Sequence, residues 1–257
     1  MTAAVALSVA PLFAAEVIDP ANEPPVPRAA PVVKVMEEAL PPPGGILVFG
    51  GTDGAGLDVV GGLAKSGEKI TVMADPRANL DALKALKVEV VTGDIFNRDD
   101  VAKAYAAAPF REVLSALNGT RRDASVDYEG TRNVIDAAKA VGIPRVVLIS
   151  AIGAGDSAPA AHWLDKLFRK TYLGEKTKAE AYLRASGLEF TIVRAGPLSD
   201  DASSGKAALS ADPTKFSAIS KSDLTVLMMT CLKSDAHLNK VVTAYDESHA
   251  GFWDKFF

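Results

Sequence analysis

The chain has 257 residues, is 48% hydrophobic and carries a formal net charge of -4. That is enough apolar material for one large core, and the acidic balance argues against a protein built to bind nucleic acid, which would show a basic face. A single cysteine, Cys231, excludes an internal disulfide and a cysteine metal cluster.

Residues Ala3 to Ala15 are almost wholly apolar. The stretch is too short to span a bilayer and lacks the basic start of a secretory signal. It reads either as the remnant of a targeting sequence or as a segment that packs on the domain or a partner. No later stretch reaches the length of a membrane span. Asp19 to Gly45 follows, with Pro20, Pro24, Pro25, Pro27, Pro31 and Pro41 to Pro43. Each proline fixes φ and removes a donor, so the region is expected to be an extended arm, interrupted by one short helix over Val32 to Ala39. Residues 1–44 are therefore set apart from a domain over 45–257.

From Gly45 the rhythm changes. Apolar runs at Ile46–Phe49, Lys69–Met73, Val88–Val91, Glu112–Ala116, Arg145–Ser150 and Phe190–Arg194 read as buried strands. Helical segments fall between them at Gly56–Ser66, Leu80–Leu86, Asp99–Ala107, Asp127–Val141 and Lys176–Ser186. This alternation predicts an α/β fold, a doubly wound parallel sheet of Rossmann type with helices on both faces. After Gly196 only about sixty residues remain, a small C-terminal region. There, Ser199–Ser210 suggests a flexible loop, Ser220–Leu232 a helix with Ser222-Asp223 as its capping start, and Val241–Tyr245 a last strand. Cys231 falls in an apolar run and reads as packing rather than a reactive thiol. His162, His237 and His249 are too scattered for a metal site.

The glycine turn Gly50-Gly51-Thr52-Asp53-Gly54-Ala55-Gly56 follows the first strand and opens a helix. Glycines there allow a tight turn and close backbone approach to a pyrophosphate. The helix start aims unpaired N–H groups and a positive dipole end at phosphates. Strand, turn and helix within a βαβ unit predict dinucleotide binding.

Gly50-Gly51-Thr52-x-x-x-Gly56 resembles the Gly-Ala-Thr-Gly-x-x-Gly turn of the atypical short-chain dehydrogenase/reductase superfamily, in its NAD(P)-binding, NmrA-like and biliverdin-reductase-B-like groups. Gly93-Asp94 is similar to the family's Gly-Asp beside the adenine. Asp127-Tyr128-x-Gly130-Thr131-x-Asn133 resembles the start of its long helix, and Val146–Ser150 its fifth strand. Tyr172-x-x-x-Lys176-x-x-x-Glu180 and Phe190–Arg194 resemble its sixth helix and strand. The resemblance runs from about Gly45 to Asp246.

It implies cofactor contacts from Gly50, Gly51, Thr52, Gly54, Ala55, Gly56, Gly93 and Asp94. Two positions depart from the pattern. Asp53 replaces the middle glycine and sets a carboxylate beside a pyrophosphate. Ala74 stands where an arginine usually meets the 2′-phosphate of NADP, and Asp75 follows, where an acid would bond a ribose hydroxyl and favour NAD. Arg77, close behind, restores a positive charge. The expected cofactor is NADP, with NAD as the alternative.

The resemblance also implies Tyr172 as proton donor, Lys176 as its electrostatic partner, and Ser150 as a substrate-orienting hydroxyl. The i, i+4 spacing puts Tyr172 and Lys176 on one helix face. Two readings stay open: an oxidoreductase on a small carbonyl-type substrate, or a non-catalytic nucleotide-binding subunit of a larger complex. Two segments remain. His162–Phe168 has helical spacing and reads as a helix burying its apolar face or as a lid. The tail Gly251–Phe257, aromatic in four of seven residues, reads as a partner or membrane-surface contact or as packing on the domain's own core. The proline-rich arm and this tail are the expected surfaces for a protein partner. The expected setting is a soluble compartment, cytoplasm or plastid stroma.

Overall fold

The computed structural model describes residues 44–119, 123–160 and 170–249. The N-terminal apolar stretch, the proline arm with its expected helix over Val32–Ala39, the helix over His162–Phe168 and the aromatic tail lie outside the described residues.

Six strands come first: β1 (Gly45–Phe49), β2 (Ile70–Ala74), β3 (Glu89–Thr92), β4 (Phe110–Ser115), β5 (Arg145–Ala151) and β6 (Glu189–Ala195). Between them run α1 (Gly54–Lys65), α2 (Asp81–Leu86), α3 (Arg98–Ala106), α4 (Thr131–Val141) and α5 (Lys170–Ala185). After β6 come short β7 (Leu198–Ser199), β8 (Ala207–Ser210), short β9 (Ile219–Ser220), α6 (Lys221–Lys233) and β10 (Lys240–Asp246).

The main sheet has eight strands in the order β3-β2-β1-β4-β5-β6-β10-β8. Every pairing is parallel except that of β8, which runs antiparallel to β10. The doubly wound expectation holds. The connections leave β1 toward β2 on one side and β4 on the other. That reversal opens a crevice at the carboxyl ends of these two strands, where α/β sheets bind ligands.

Residues of β1 alternate between two cores because successive side chains point to opposite faces. Ile46 and Val48 pack with Val59, Val60 and Leu63 of α1 and with Leu224, Met228 and Cys231 of α6. Leu47 and Phe49 pack with Val101 of α3, Val134 and Ile135 of α4 and Leu183 of α5. Cys231 is buried, and burial pushes its thiol up to about 11, so it serves as packing.

Four elements differ from the sequence expectation. First, α5 starts by Lys170, so Tyr172, Lys176 and Glu180 form one stripe on a continuous helix. Second, the segment expected as one helix from Asp127 begins with a wider π-type turn, Val126–Gly130, before α4. Third, Ser220, not Ser222, caps α6: its Oγ accepts from the Asp223 N–H at 3.0 Å and donates to Asp223 Oδ2 at 2.8 Å. Fourth, Ser199–Ser210 is not a free loop. Ala207–Ser210 forms the edge strand, and Asp223 accepts from the Ser203 hydroxyl (2.5 Å) and the Ser204 amide (2.9 Å).

Candidate functional site

The glycine turn forms the floor of the crevice. Gly50 has φ +78°, and a Cβ there would lie 2.5 Å from the Ala116 carbonyl oxygen. A Cβ on Gly56 would lie 1.9 Å from the Gly50 carbonyl oxygen. Both positions exclude a side chain because the turn and the first residues of α1 press against the end of β4. Gly54 differs. It has φ +49°, faces the cleft, and nothing lies within 4 Å of where a Cβ would be. A bare backbone thus borders open space at the start of a helix.

Asp53 is the N-cap residue of α1, but its side chain makes no capping hydrogen bond. The first helical bond runs from the Leu57 amide to the Asp53 carbonyl at 3.0 Å. The amides of Gly54, Ala55 and Gly56 precede it and point out of the helix end. Donors of this kind fit the phosphates of a dinucleotide. Gly54, Ala55 and Gly56 line the cleft, whereas Gly50, Gly51 and Thr52 build the turn behind it.

The cleft measures 280 Å³. Its far wall carries Tyr172, Lys176 and Ser150 together with Asn118, Ile152, Leu198 and Phe216. Tyr172 donates from its hydroxyl to Asn118 Oδ1 at 2.9 Å. Lys176 Nζ lies 5.2 Å from the centre of the Tyr172 ring. The ammonium is buried, 2.8 Å from Asp127 Oδ1, and donates to the Leu117 carbonyl at 3.2 Å. Asp127 also accepts from the Gly119 amide at 3.0 Å. The π-type turn is what carries Asp127 toward the cleft, and the Lys176–Asp127 pair ties α5 to the strand end that holds Asn118.

Ser150 is the penultimate residue of β5, and its hydroxyl donates to Glu180 Oε1 at 2.5 Å. Glu180 is gripped by Arg194 at 3.0 and 2.6 Å, and Arg194, itself 1% exposed, reaches Asp156 as well. The Glu180 contact and the Asp156 bond both raise the pKa of Arg194 against the opposing effect of burial. The wall behind the cleft is therefore a fixed ionic network.

The adenine-side candidates lie outside the cleft lining, at the ends of β2 and β3. Arg77 forks Asp75 through Nε and Nη2, both at 2.9 Å, and its amide donates to the same carboxylate at 2.8 Å. These bonds hold the Asp75 carboxyl down at about 2. The Gly93 amide donates to the Ala74 carbonyl at 2.9 Å, joining the two strand ends. Asp94 is exposed and accepts from the Phe96 amide at 2.9 Å.

Sequence reasoning missed Asn118, Asp127, Phe216 and Lys221. Asp127 stood in the long-helix motif without a role, and Asn118 lies three residues past β4 with no motif to mark it. Among the described residues, no group of three or more His, Cys, Asp or Glu side chains could hold a metal ion. No helix among them is long and apolar enough to cross a membrane.

Comparison with known proteins matches this geometry. A family profile described as NAD(P)H-binding fits residues 50–235. Sanguinarine reductase of Eschscholzia californica is 33% identical over 157 residues, 59% of this chain and 55% of that protein. Sterol demethylase protein B of Methylococcus capsulatus is 32% identical over 164 residues, 57% and 49% of the two chains. The chain spans about half the length, or less, of the curated relatives it matches. Among solved structures, the anaerobillin reductase ChuY of Escherichia coli O157:H7 superposes with a TM-score of 0.71 at 28% identity, covering 79% of this chain and 97% of that one. A short-chain dehydrogenase/reductase from Veillonella parvula in complex with NADP shares the fold, with a TM-score of 0.66 at 17% identity over 80% and 96% of the chains. The chain belongs to the NAD(P)H-binding family, within the atypical short-chain dehydrogenase/reductases.

Proposed function

We propose that the domain is an NADP(H)-dependent reductase acting on a small or planar carbonyl-type acceptor, with Tyr172 as the proton donor. One observation carries this reading: the Tyr172 hydroxyl, held by Asn118 and backed by the Lys176 ammonium, lines the same cleft as the open amides of α1. The relatives named as reductases support it.

The open amides of Gly54, Ala55 and Gly56 would hold the pyrophosphate, and the nicotinamide supplies reducing power when bound. The chain's own residues do the rest. Asn118 accepts the Tyr172 O–H at rest and holds the phenol at the cleft, and the O–H turns from Asn118 to the substrate before the proton moves. Tyr172 hands its proton to the substrate oxygen as charge develops there. Lys176, held beside Tyr172 by Asp127, favours the phenolate left behind. Ser150 directs its proton to Glu180 and keeps acceptor lone pairs toward the cleft, so it positions rather than donates. Ile152, Leu198 and Phe216 give an apolar wall that suits a flat substrate and excludes water.

Preference for NADP rests on Arg77. Its side chain is 90% exposed and can release Asp75 for a 2′-phosphate. Asp75 alone would favour NAD.

The test is steady-state reduction of 9,10-phenanthrenequinone with NADPH. Tyr172→Phe should lower turnover by about 10²-fold or more and leave NADPH affinity within about twofold. Retained turnover would sink the role of Tyr172.

A second reading, a non-catalytic nucleotide-binding subunit, is favoured by one fact: Lys176 and Ser150 are already engaged by buried partners. Saturable NADPH binding without turnover of any carbonyl probe would select it. A protein partner on the proline-rich arm and aromatic tail belongs to this reading, and size-exclusion of the full chain against native extract tests it. Two chloroplastic relatives of Arabidopsis thaliana, 43% identical over 75 residues and 34% over 132, support a plastid setting. Import into isolated chloroplasts tests that.

A further inference from the structure

Among the described residues, charge in the cleft lining comes from three side chains, Asp53, Lys176 and Lys221. Lys176 is buried beside Asp127 and the Tyr172 ring, so its charge is committed to that pair and to the tyrosine. Asp53 places a carboxylate at the mouth of the α1 helix end, where a pyrophosphate would bring two more negative charges. The helix end itself offers only about half a positive charge. Among the described residues lining the cleft, Lys221 is the cation left to complete that balance.

Lys221 is the first residue of α6, fixed there by the Ser220 cap. It borders the cleft on one side and, on the other, a shallow groove along α1 lined by Asp58, Asp200 and Asp201. Its Nζ meets Asp200 Oδ1 at 2.6 Å, and the Asp200 side chain is 87% exposed. A pair this open is screened by solvent and easily exchanged. Asp200 first, and Asp58 of α1 to a lesser degree, raise the Lys221 pKa and keep the ammonium charged. Lys221 shares that groove with Asp58, Gly61 and Gly62 of α1, so it stands between α1 and the cleft.

We propose that Lys221 binds the pyrophosphate of the dinucleotide, leaving Asp200 when the ligand arrives and offsetting the charge of Asp53. Asp200 is then a resting partner that competes with the ligand. This role rests on the dinucleotide reading above.

Calorimetric titration of the full chain with ADP-ribose and with adenosine 2′-monophosphate separates the outcomes, because only the first carries a pyrophosphate. Lys221→Met should weaken ADP-ribose binding about tenfold and flatten its salt dependence, while Lys221→Arg stays within about threefold of wild type. Asp200→Asn should tighten ADP-ribose binding. Affinity for adenosine 2′-monophosphate should not change in any variant. ADP-ribose affinity of Lys221→Met within about twofold of wild type would overturn the proposal. So would an equal loss for both ligands, which would signal general damage or an adenine-end role. If Lys221→Met melts early, Asp200→Asn decides alone, and unchanged ADP-ribose affinity overturns the proposal. Wild-type protein that binds no ADP-ribose would instead overturn the dinucleotide reading beneath it.

Discussion

Replacing Asp127 by Asn removes the negative half of a buried pair while preserving shape. Asp127 is 1% exposed and Lys176 5%. Their charges lie 2.8 Å apart, and among the described residues the ammonium also donates to the Leu117 carbonyl at 3.2 Å. The Asn oxygen can still accept from the Gly119 amide, but its NH2 group then faces an ammonium that cannot accept. An uncompensated buried charge of this kind destabilises by about 3–5 kcal/mol. Against a total stability of about 5–15 kcal/mol, that is a large fraction. Lys176→Met leaves the carboxylate stranded in the same way. The double variant removes both charges, so its loss should fall short of the sum of the single losses by at least about 2 kcal/mol. Urea unfolding of the four proteins at pH 7 measures this. Additivity within about 0.5 kcal/mol would refute the reasoning, because the two groups would then be independent.

Four further outcomes follow from the same structure. Gly56→Ala places a Cβ 1.9 Å from the Gly50 carbonyl and should abolish NADPH binding or folding. By contrast Gly61→Ala, on an open stretch of α1 whose nearest neighbour is Leu86 Cδ1 at 3.9 Å, should raise stability by about 0.5–1 kcal/mol in thermal unfolding. Glu112 is buried beside Arg111 and Arg145, and burial outweighs both arginines and lifts its carboxyl from 4.5 to about 7. Its folded pKa lies above its unfolded one, so its contribution is full below pH 4.5 and lost as pH climbs through 7. Stability measured at pH 5 and pH 8 should therefore shift toward Glu112→Gln over wild type by up to about 3 kcal/mol, and a pH-independent difference would count against it. Arg77→Ala should reduce the preference for NADPH over NADH by about tenfold in paired titrations, and an unchanged ratio would remove Arg77 from the 2′-phosphate site.

The strands β1 to β6 were legible because parallel strands covered on both faces are continuous apolar runs, such as Val146-Val147-Leu148-Ile149. The glycine turn was legible because Gly50 and Gly56 leave no room for a side chain, so the spacing is dictated by packing. β8 was not. Ala207–Ser210 is a small, half-buried edge strand whose partner, β10, lies more than twenty-five residues on. Local composition there suits a loop equally well. The π-type turn at Val126–Gly130 is helical in propensity, and its widening follows from where Asp127 must reach. Tyr172 and Lys176 were visible through the resemblance of Tyr172-x-x-x-Lys176 to the family's motif. Their partners were not, since Asn118 and Asp127 arrive from other elements and no periodicity links them. The same holds for Ser150: its place near the end of β5 could be read, whereas its bond to Glu180, and the grip of Arg194 on that carboxylate, could not.

The central claim is that the open amides of α1 hold a dinucleotide. Calorimetric titration of the purified chain with NADPH tests it most directly. The account predicts saturable binding at one site per chain, lost in Gly56→Ala if that variant folds, with weaker binding of NADH. Absence of heat with both NADPH and NADH, from protein shown to be folded, would contradict it.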